Sequence, residues 1–238
     1  DWESAADICD QTVTNRAAAS EPRYHGGLWY RYDNDPVEIG NLIDEAGELV
    51  VYERGDGTIG VHPGVLVTPD IRITSDDMLS FSIDANRRGA NTVLAVRGRF
   101  TDPGAVYNTV DAAIYGDPYT GEDTQRTKTV DNQAVQSHNH MNRLQKLAYI
   151  RANAARVSIT IPFDATGATR LIRERRFVRV HRPERGLDEA IVEIAGRPKL
   201  SLRNLTYSFE GIVVPSTLYS FDAATEEGVP GTIGEVIE

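Results

Sequence analysis

The middle of the chain, residues 92–160, constrains the fold most strongly because it holds a strand, a long loop, a helix and a second strand. Residues 92–101 (TVLAVRGRFT) are rich in residues that favour strands and end at an Asp-Pro-Gly turn. After a polar passage, apolar side chains recur every three or four positions over residues 137–155, which predicts an amphipathic helix. This helix runs directly into residues 156–161 (RVSITI), so we expect these elements to pack as one unit.

The first 62 residues predict a small unit that contains both helices and strands. Residues 1–15 favour a short amphipathic helix, and the aromatic-rich residues 23–32 favour a strand. Asp35 stands before a proline, as an N-cap does at the start of a helix. Residues 49–62 contain two short apolar runs around an Asp-Gly pair, which predicts a hairpin.

The rest of the chain predicts mainly strands, because apolar and polar residues alternate between turn signals. These predicted strands are residues 70–74, 80–84, 176–181, 190–194 and 199–207. The sequence therefore predicts a strand-rich α+β chain with small α/β units and a β-barrel-like or sandwich-like insertion.

Composition restricts the classes of function. The chain has 35 acidic and 25 basic residues, and its net charge is −10. Such a surface repels phosphate, which argues against general nucleic-acid binding but suits the wall of a channel through which DNA slides. Cys9 is the single cysteine, so neither an internal disulfide nor a cysteine-based zinc cluster is possible. We expect a protein that binds or builds, with no catalytic residues, no metal and no cofactor.

Three short motifs have simpler interpretations than the functions that they suggest. His138 and His140 are two positions apart and do not share a helix face, so we interpret them as a solvated helix start and not as zinc ligands. The Arg-Gly-Asp tripeptide at residues 54–56 fits a hairpin turn. The acidic run at residues 33–35 lacks the glycine and glutamate of a calcium loop, so we interpret it as a helix cap.

A basic cluster stands out in this acidic chain. Its first interpretation is an interface with an acidic neighbouring subunit or a phosphate contact, and the second is the solvated face of an edge strand. Both interpretations stay open. The possible inter-subunit patch consists of Arg170, Arg173, Arg175, Arg176, Arg179 and Arg182, and Arg185 extends the cluster.

Two motifs and their order along the chain resemble those of a known family. The motif residues are Glu21, Pro22, Arg23 and Tyr24 at a strand start, and Arg97, Gly98, Asp102 and Pro103 in the run VRGRFTDP. Residues 47–52 (GELVVY) and 219–222 (YSFD) follow the same order. Over residues 1–225 the chain resembles the tail-tip attachment protein J family, the central tail hubs of lambda-like siphophages and gene transfer agents.

The resemblance implies a structural virion protein of a bacteriophage or gene transfer agent. It implies a homotrimer at the distal tail tip or baseplate that closes the tail tube, carries receptor-binding parts for host attachment and conducts DNA during genome ejection. The implied partners are the distal tail protein, the tape measure and fibres, with the host surface contacted indirectly. The resemblance also implies a phage tail hub-like fold and assembly in the host cytoplasm. Because the chain begins at Asp1, we expect it to be an internal segment of a longer protein.

We predict four segments along the chain. Residues 1–66 form the first half of an α+β hub subdomain, and residues 67–136 form a β-rich insertion. Residues 137–219 add a helix and strands that complete the hub. Residues 220–238 are rich in acidic, glycine and small residues, which predicts a linker or an arm.

Two rival functions stay open. A receptor- or carbohydrate-binding module of a tail tip would present Trp29, Tyr30 and Tyr32 on a concave surface, and burial of these rings would favour the scaffold instead. A cell-wall hydrolase would need convergent acids or a metal, with His62 brought close to the two histidines of the central helix.

Overall fold

The computed structural model describes residues 2–84, 92–117 and 126–230, and it confirms the predicted strand-rich α+β class. The helices are α1 (Trp2–Cys9), α2 (Pro36–Ala46), α3 (His138–Asn153) and α4 (Ala223–Glu226). The strands are β1 (Thr12–Thr14), β2 (Ser20–Pro22), β3 (Val50–Glu53), β4 (Ile59–His62), β5 (Arg72–Thr74), β6 (Ser80–Asp84), β7 (Ala95–Asp102), β8 (Asn108–Asp111), β9 (Tyr115–Gly116), β10 (Thr127–Asp131), β11 (Arg156–Pro162), β12 (Phe177–Arg182), β13 (Leu187–Ser201) and β14 (Thr206–Val214). Among the described residues, no helix combines the length and apolar character needed to span a bilayer.

The largest sheet has six strands in the order β5–β12–β13–β14–β11–β6. Its two edge strands are joined by residues 75–79 alone, and Ser75–Asp77 of that link is a 3₁₀ turn with a rise of about 2 Å per residue. A flat sheet of this size would separate its edges by roughly 24 Å, which is more than such a link spans. The sheet therefore curls until its edges approach each other. We call the place where the two edges approach each other the seam. At the seam, the Arg182 guanidinium of β12 lies 4.4 Å from the ring centre of Phe81 of β6.

Apolar side chains fill the inside of the curled sheet. Because strands place alternate side chains on opposite faces, every second residue of each strand points into this space. The buried residues there are Ile71, Ile73, Val157, Ile159, Ile161, Ile172, Val178, Val180, Leu187, Val192, Tyr207 and Phe209. The curled sheet is therefore a solid core and not a pore.

A second core forms where α3 packs against a smaller sheet. In this sheet β10 pairs parallel to β7, and β8 and β9 pair antiparallel to β7. Met141, Leu144 and Leu147 of α3 are buried in this core. Gly98 of β7 faces the helix, and an added Cβ there would lie 2.6 Å from Met141 Cγ and 2.8 Å from Gln145 Cδ. The missing side chain is what allows the helix to approach the strand so closely.

We expect Gly98→Ala to lower the free energy of unfolding by about 1–3 kcal/mol, because the new methyl group overpacks the contact between α3 and β7. Urea unfolding followed by circular dichroism measures the change. The matched control is Gly167→Ala, since a Cβ at Gly167 meets no atom within 4 Å. Equal losses in the two variants would show that Gly98 is not needed for the close approach.

The predicted helix caps and the predicted hairpin are confirmed, and each depends on contacts between residues close together in the sequence. Asp35 caps α2 by accepting a hydrogen bond from the backbone N–H of Val37, and Ser137 caps α3 through the N–H of His140. The predicted hairpin forms, with β3 and β4 paired around a turn that holds Gly57 at a φ of 81°. The Arg-Gly-Asp tripeptide lies in that turn, as predicted.

Two predicted strands differ in the structure. Residues 23–32 contain no strand, because β2 ends at Pro22 and only an isolated bridge joins Gly26 to Val135. Residues 199–207 are not one strand either. β13 is long and ends at Ser201, and a turn at Arg203 and its neighbours leads into β14.

The strands of the predicted insertion, residues 67–136, divide between the two larger sheets. β5 and β6 join the curled sheet, whereas β7 to β10 form the sheet on α3. Strand pairing therefore connects the predicted insertion to both larger sheets. Part of this stretch, residues 85–91 and 118–125, lies outside the described residues. The four segments as independent units stay a prediction.

The first part of the predicted linker is docked and not free. Glu227 is buried, and its carboxylate accepts hydrogen bonds from the Asn139 side chain at 2.7 Å and from the Arg16 backbone N–H at 2.6 Å. Glu226 pairs with Lys146 of α3 at 2.5 Å. Residues 220–228 thus contact the first two thirds of α3, and residues 231–238 of the predicted linker lie outside the described residues.

Candidate interaction surface

The start of α3 is buried, which corrects the expectation of a solvated helix end. His140 is only 1% exposed, and its ring nitrogens face the carbonyl oxygens of Ala46 at 2.8 Å and His25 at 3.2 Å. Burial lowers the pKa of His140 most strongly, Arg143 lowers it further, and the pKa lies at about 3 despite the two carbonyls. A neutral ring carries one N–H, so it donates to one of the two carbonyls.

His138 holds the docked C-terminal segment. Its Nε2 accepts a hydrogen bond from the backbone N–H of Ala113 at 3.1 Å, so a neutral ring carries its proton on Nδ1. Nδ1 lies 3.0 Å from the Glu227 carboxylate and can donate to it. The two histidines thus serve different neighbours and do not converge on a common site.

The predicted basic patch is mostly engaged in ion pairs within the chain. Arg175 pairs with Asp70 at 2.7 Å, and Arg182 pairs with Glu184 at 2.8 Å. Arg179 approaches Glu189, Arg170 lies over the ring of Phe163, and Arg173 is exposed. β12 is an interior strand of the sheet, so the interpretation as an edge strand is wrong.

Arg176 departs most clearly from the predicted inter-subunit patch. Its side chain is only 5% exposed and belongs to a buried ion network. It contacts Glu193 at 3.0 Å and Glu48 at 3.2 Å. Arg151 of α3 contacts the same two carboxylates at 2.8 Å and 2.6 Å. Burial raises the pKa of Glu193, but Arg151 and Arg176 outweigh it, so the pKa lies below its usual value. The network ties α3 to the curled sheet and leaves Arg176 unavailable to a partner.

The resemblance motifs mainly build the core. The Tyr24 hydroxyl donates to the carbonyl of Gly64 at 2.7 Å, and its ring packs edge-on against His140. The Glu21 carboxylate accepts from the Ser137 hydroxyl at 2.9 Å. Asp102 caps the 3₁₀ turn Pro103–Ala105 that ends β7, whereas Arg97 is exposed on the same strand. These residues position α3 and β7 and do not form a pocket together.

The aromatic segment, residues 29–32, is strongly exposed in the part of the chain that the structure describes. Trp29 is 81% exposed and Tyr30 is 57% exposed, while Tyr32 is fully exposed. Aromatic residues favour strands, but no neighbouring strand covers this stretch, so the rings face solvent. Exposure of these rings is the outcome expected for a receptor- or carbohydrate-binding module, whereas their burial was expected for a scaffold.

Other exposed apolar side chains concentrate in the same N-terminal region. More than half of those in the described residues lie between residues 2 and 67. Besides the aromatic segment they are Trp2, Val37, Ile43, Val50, Val51, Ile59 and Val67. We call these residues and the aromatic segment the apolar surface. Within this set, Tyr30 and Ile43 line one groove, and Val50, Val51 and Ile59 line another. Contiguous exposed apolar patches mark interaction sites on soluble proteins.

Grooves run through the apolar surface. One, of about 340 Å³, is lined by Tyr30, Ile43 and Leu49 among others. Two further grooves of about 500 and 580 Å³ share Tyr52 and His62, whose rings stack at a centroid distance of 4.3 Å. Burial, followed by Arg176 and Arg175, lowers the pKa of His62 to about 4. The hairpin of β3 and β4 therefore stands between two recesses that a partner can enter.

One group of possible metal ligands was missed by the sequence analysis. His181, Asp188 and Glu189 place ligand atoms within 4.8 Å of one another at the surface. Arg72 and Arg179 pair with Glu189 at 2.5 Å and 3.7 Å. Their positive charges compete with a cation, so the group is an ion-pair cluster.

No protein-family model matches the chain, and no curated protein matches it by sequence. Among solved structures, 22 chains match. One belongs to the virion of a native gene transfer agent particle, with a TM-score of 0.56 and 12% identity over 79% of this chain and 42% of that one.

Two further structures that the chain resembles are tail proteins. One is the 43 kDa tail protein of prophage MuSo2 from Shewanella oneidensis, with a TM-score of 0.47, 14% identity, and coverage of 80% of this chain and 56% of that one. The other is a tail protein from Neisseria meningitidis MC58, with a TM-score of 0.44, 19% identity, and coverage of 74% and 53%. The chain thus spans about half the length of the proteins that it matches, and the similarity is one of fold.

Proposed function

We propose that the chain is a structural protein of a phage-like tail and forms part of a distal tail hub. The observation that carries this proposal is the fold shared with a chain of a gene transfer agent virion, at a TM-score of 0.56 over 79% of the chain. The proposed role is assembly without catalysis, with other tail proteins as partners: the distal tail protein, the tape measure and fibres.

In the proposed assembly, copies of the chain meet through the apolar surface and close a ring of three. The exposed aromatic segment supports this, because such residues gain most from burial against a partner. DNA would pass between copies, since apolar side chains fill the curled sheet within each copy. The net charge of −10 suits the wall of such a conduit.

We expect the chain to form a complex of three times its mass of 26.2 kDa, with a three-fold ring in negative-stain images. Trp29→Ser combined with Tyr32→Ser should shift the mass toward a single copy, because it removes two exposed rings from the contact. Leu202→Ser is the matched control, since Leu202 is 77% exposed outside the apolar surface. A single-copy mass at every concentration, measured by light scattering, would argue against the ring.

A second function, binding to the host surface, is favoured by one observation. Tyr30 borders the 340 Å³ groove, and Trp29 and Tyr32 of the same segment are exposed. Aromatic rings with a polar edge stack well on sugars and suit receptor contacts. A glycan or cell-binding assay separates the two functions: the double variant would lose surface binding while its mass stayed that of the unaltered chain.

A further inference from the structure

An open cleft of about 440 Å³ lies between the β1–β2 hairpin and the C-terminal segment at residues 219–224. Three arginines line it: Arg16 and Arg23 come from the β1–β2 region, and Arg143 comes from α3. Asp222 is the acidic residue among the lining residues. The cleft does not overlap the apolar surface, so a ligand site in it is independent of the proposed assembly.

Arg143 is a buried cation with unused hydrogen-bond donors. Its side chain is 9% exposed, and its Nε donates to the Asn139 side chain at 3.0 Å. Nη1 and Nη2 have no hydrogen-bond partner among the described residues. The nearest carboxylate, that of Glu21, lies 3.9 Å from Nη2, which is beyond hydrogen-bond distance. Four N–H groups of this guanidinium therefore lack a partner.

Leaving these donors unpaired is costly, and burial lowers the pKa of Arg143 to about 10. A small void of about 10 Å³ borders Arg143 on the side of Leu147 and can hold one water molecule. One water cannot accept hydrogen bonds from all four N–H groups in the geometry of a planar guanidinium. Nη1 and Nη2 have almost no exposed surface, so a larger acceptor in the cleft that Arg143 lines would satisfy them once neighbouring side chains shift.

The other charged groups leave room for such an acceptor. Arg16 uses one guanidinium nitrogen, which donates to the Glu227 carbonyl, and Arg23 uses two, which donate to Gln11 and Tyr219. Each guanidinium offers five N–H donors, so both arginines keep donors for a further partner. The Asp222 carboxylate is occupied as the cap of α4, where it accepts from the Ala224 N–H and the Thr225 hydroxyl.

We propose that this cleft binds an oxyanion, a carboxylate or phosphate group, through Arg143 with Arg16 and Arg23. The planar fork of arginine matches both groups because two parallel N–H donors meet two oxygens. The protein as a whole repels anions at a net charge of −10, so any specific anion effect must come from a local site. The source is either a free phosphate or a carboxylate of a neighbouring protein.

Thermal unfolding and titration calorimetry with sodium phosphate and sodium succinate test the proposal, with sodium chloride at matched ionic strength as reference. At ten times the dissociation constant, the oxyanion should raise the midpoint of unfolding by about 3 °C over chloride. Tighter binding of phosphate would identify free phosphate as the natural ligand. Tighter binding of succinate would identify a protein carboxylate as the natural ligand. Equal midpoints in all three salts would overturn the proposal and leave Arg143 solvated by water.

Variants locate the site. Arg143→Met should abolish the heat of phosphate binding, and Arg16→Gln should weaken binding at least tenfold without altering a buried residue. Arg97→Gln is the matched control, because Arg97 is an exposed arginine outside the cleft and its loss should not change binding. If Arg143→Met does not fold, Arg16→Gln decides the result. Binding that persists unchanged in Arg16→Gln would place the anion elsewhere and overturn the proposal.

Discussion

Replacing Arg176 by methionine is expected to lower the free energy of unfolding by about 3–5 kcal/mol. The substitution leaves the buried Glu193 and the largely covered Glu48 with Arg151 as their remaining partner, and two carboxylates then share one guanidinium. The Arg176 Nη1 also donates to the carbonyl of Glu48 at 2.9 Å, so a backbone acceptor loses its partner as well. Urea unfolding at pH 7 measures the loss.

The matched control is Arg99→Met, because the pair of Arg99 with Asp111 is exposed, with side-chain exposures of 47% and 58%. Exposed pairs contribute about 0–1 kcal/mol, so this variant should unfold nearly as the unaltered chain does. The pKa of Glu193 is lowered in the fold, so its contribution is present above the usual pKa and is lost as the pH falls through the folded value. The difference between Arg176→Met and the unaltered chain should therefore shrink in acid. A loss no larger than that of Arg99→Met would show that the network contributes little.

Acidification should destabilise the fold through His140. Its pKa is about 3 in the fold and about 6.5 in the unfolded chain, so only the unfolded state gains a proton between these values. Stability is therefore complete above pH 6.5 and falls by about 1.4 kcal/mol per pH unit as the pH drops toward 3. His62, with a pKa of about 4, acts in the same direction over a narrower window.

His140→Gln separates this contribution from those of the carboxylates. Glutamine can still donate to the Ala46 carbonyl but does not titrate, so the pH dependence between 4 and 6 should become shallower by about 1.4 kcal/mol per pH unit. Urea unfolding at pH 4, 5 and 6 gives the slope. His25→Gln makes the same change at an exposed position and controls for the substitution itself. An unchanged slope in His140→Gln would mean that the ring is charged in the fold, with both nitrogens donating to carbonyls.

The sequence predicted the elements whose signals are local. Asp35 and Ser137 bond to backbone groups two or three residues away, so the type of residue and its position were sufficient. The turn at Gly57 is equally local, because Arg54 and Thr58 close it with a backbone hydrogen bond at 2.9 Å. For these elements, the chemistry of a few adjacent residues determines the structure.

The roles that depend on distant neighbours could not be predicted from one sequence. Arg176 resembled the other arginines of its cluster, and it is distinguished by its contact with Glu48, which lies 128 residues earlier in the chain. His140 was predicted to be solvated, and this prediction was wrong. The start of α3 is buried by Ala46 and by residues of the C-terminal segment, which are distant from it in the sequence. Residues 23–32 have the composition of a strand, but no strand lies beside them to supply hydrogen bonds.

The candidate interaction surface and the cleft also differ in how far the sequence could predict them. The aromatic segment was visible in the sequence as a group of rings, although its exposure was not. The cleft of Arg143 was not visible, because Arg143 lies about 120 residues after Arg16 and Arg23 in the chain, and residues of the docked C-terminal segment complete its lining.

The seam of the curled sheet has a consequence for biosynthesis. β5 and β6 are translated early, but they pair with β12 and β11, and Arg72 and its partner Arg179 are separated by roughly 100 residues. At about 5–20 residues per second, the ribosome needs roughly 5–20 s to deliver the partner of β5. During that interval Ile71 and Ile73, which are fully buried in the finished protein, have no sheet to join. The nascent chain must therefore be kept from aggregating until translation has passed β12, and β5 and β6 are enclosed long after they emerge.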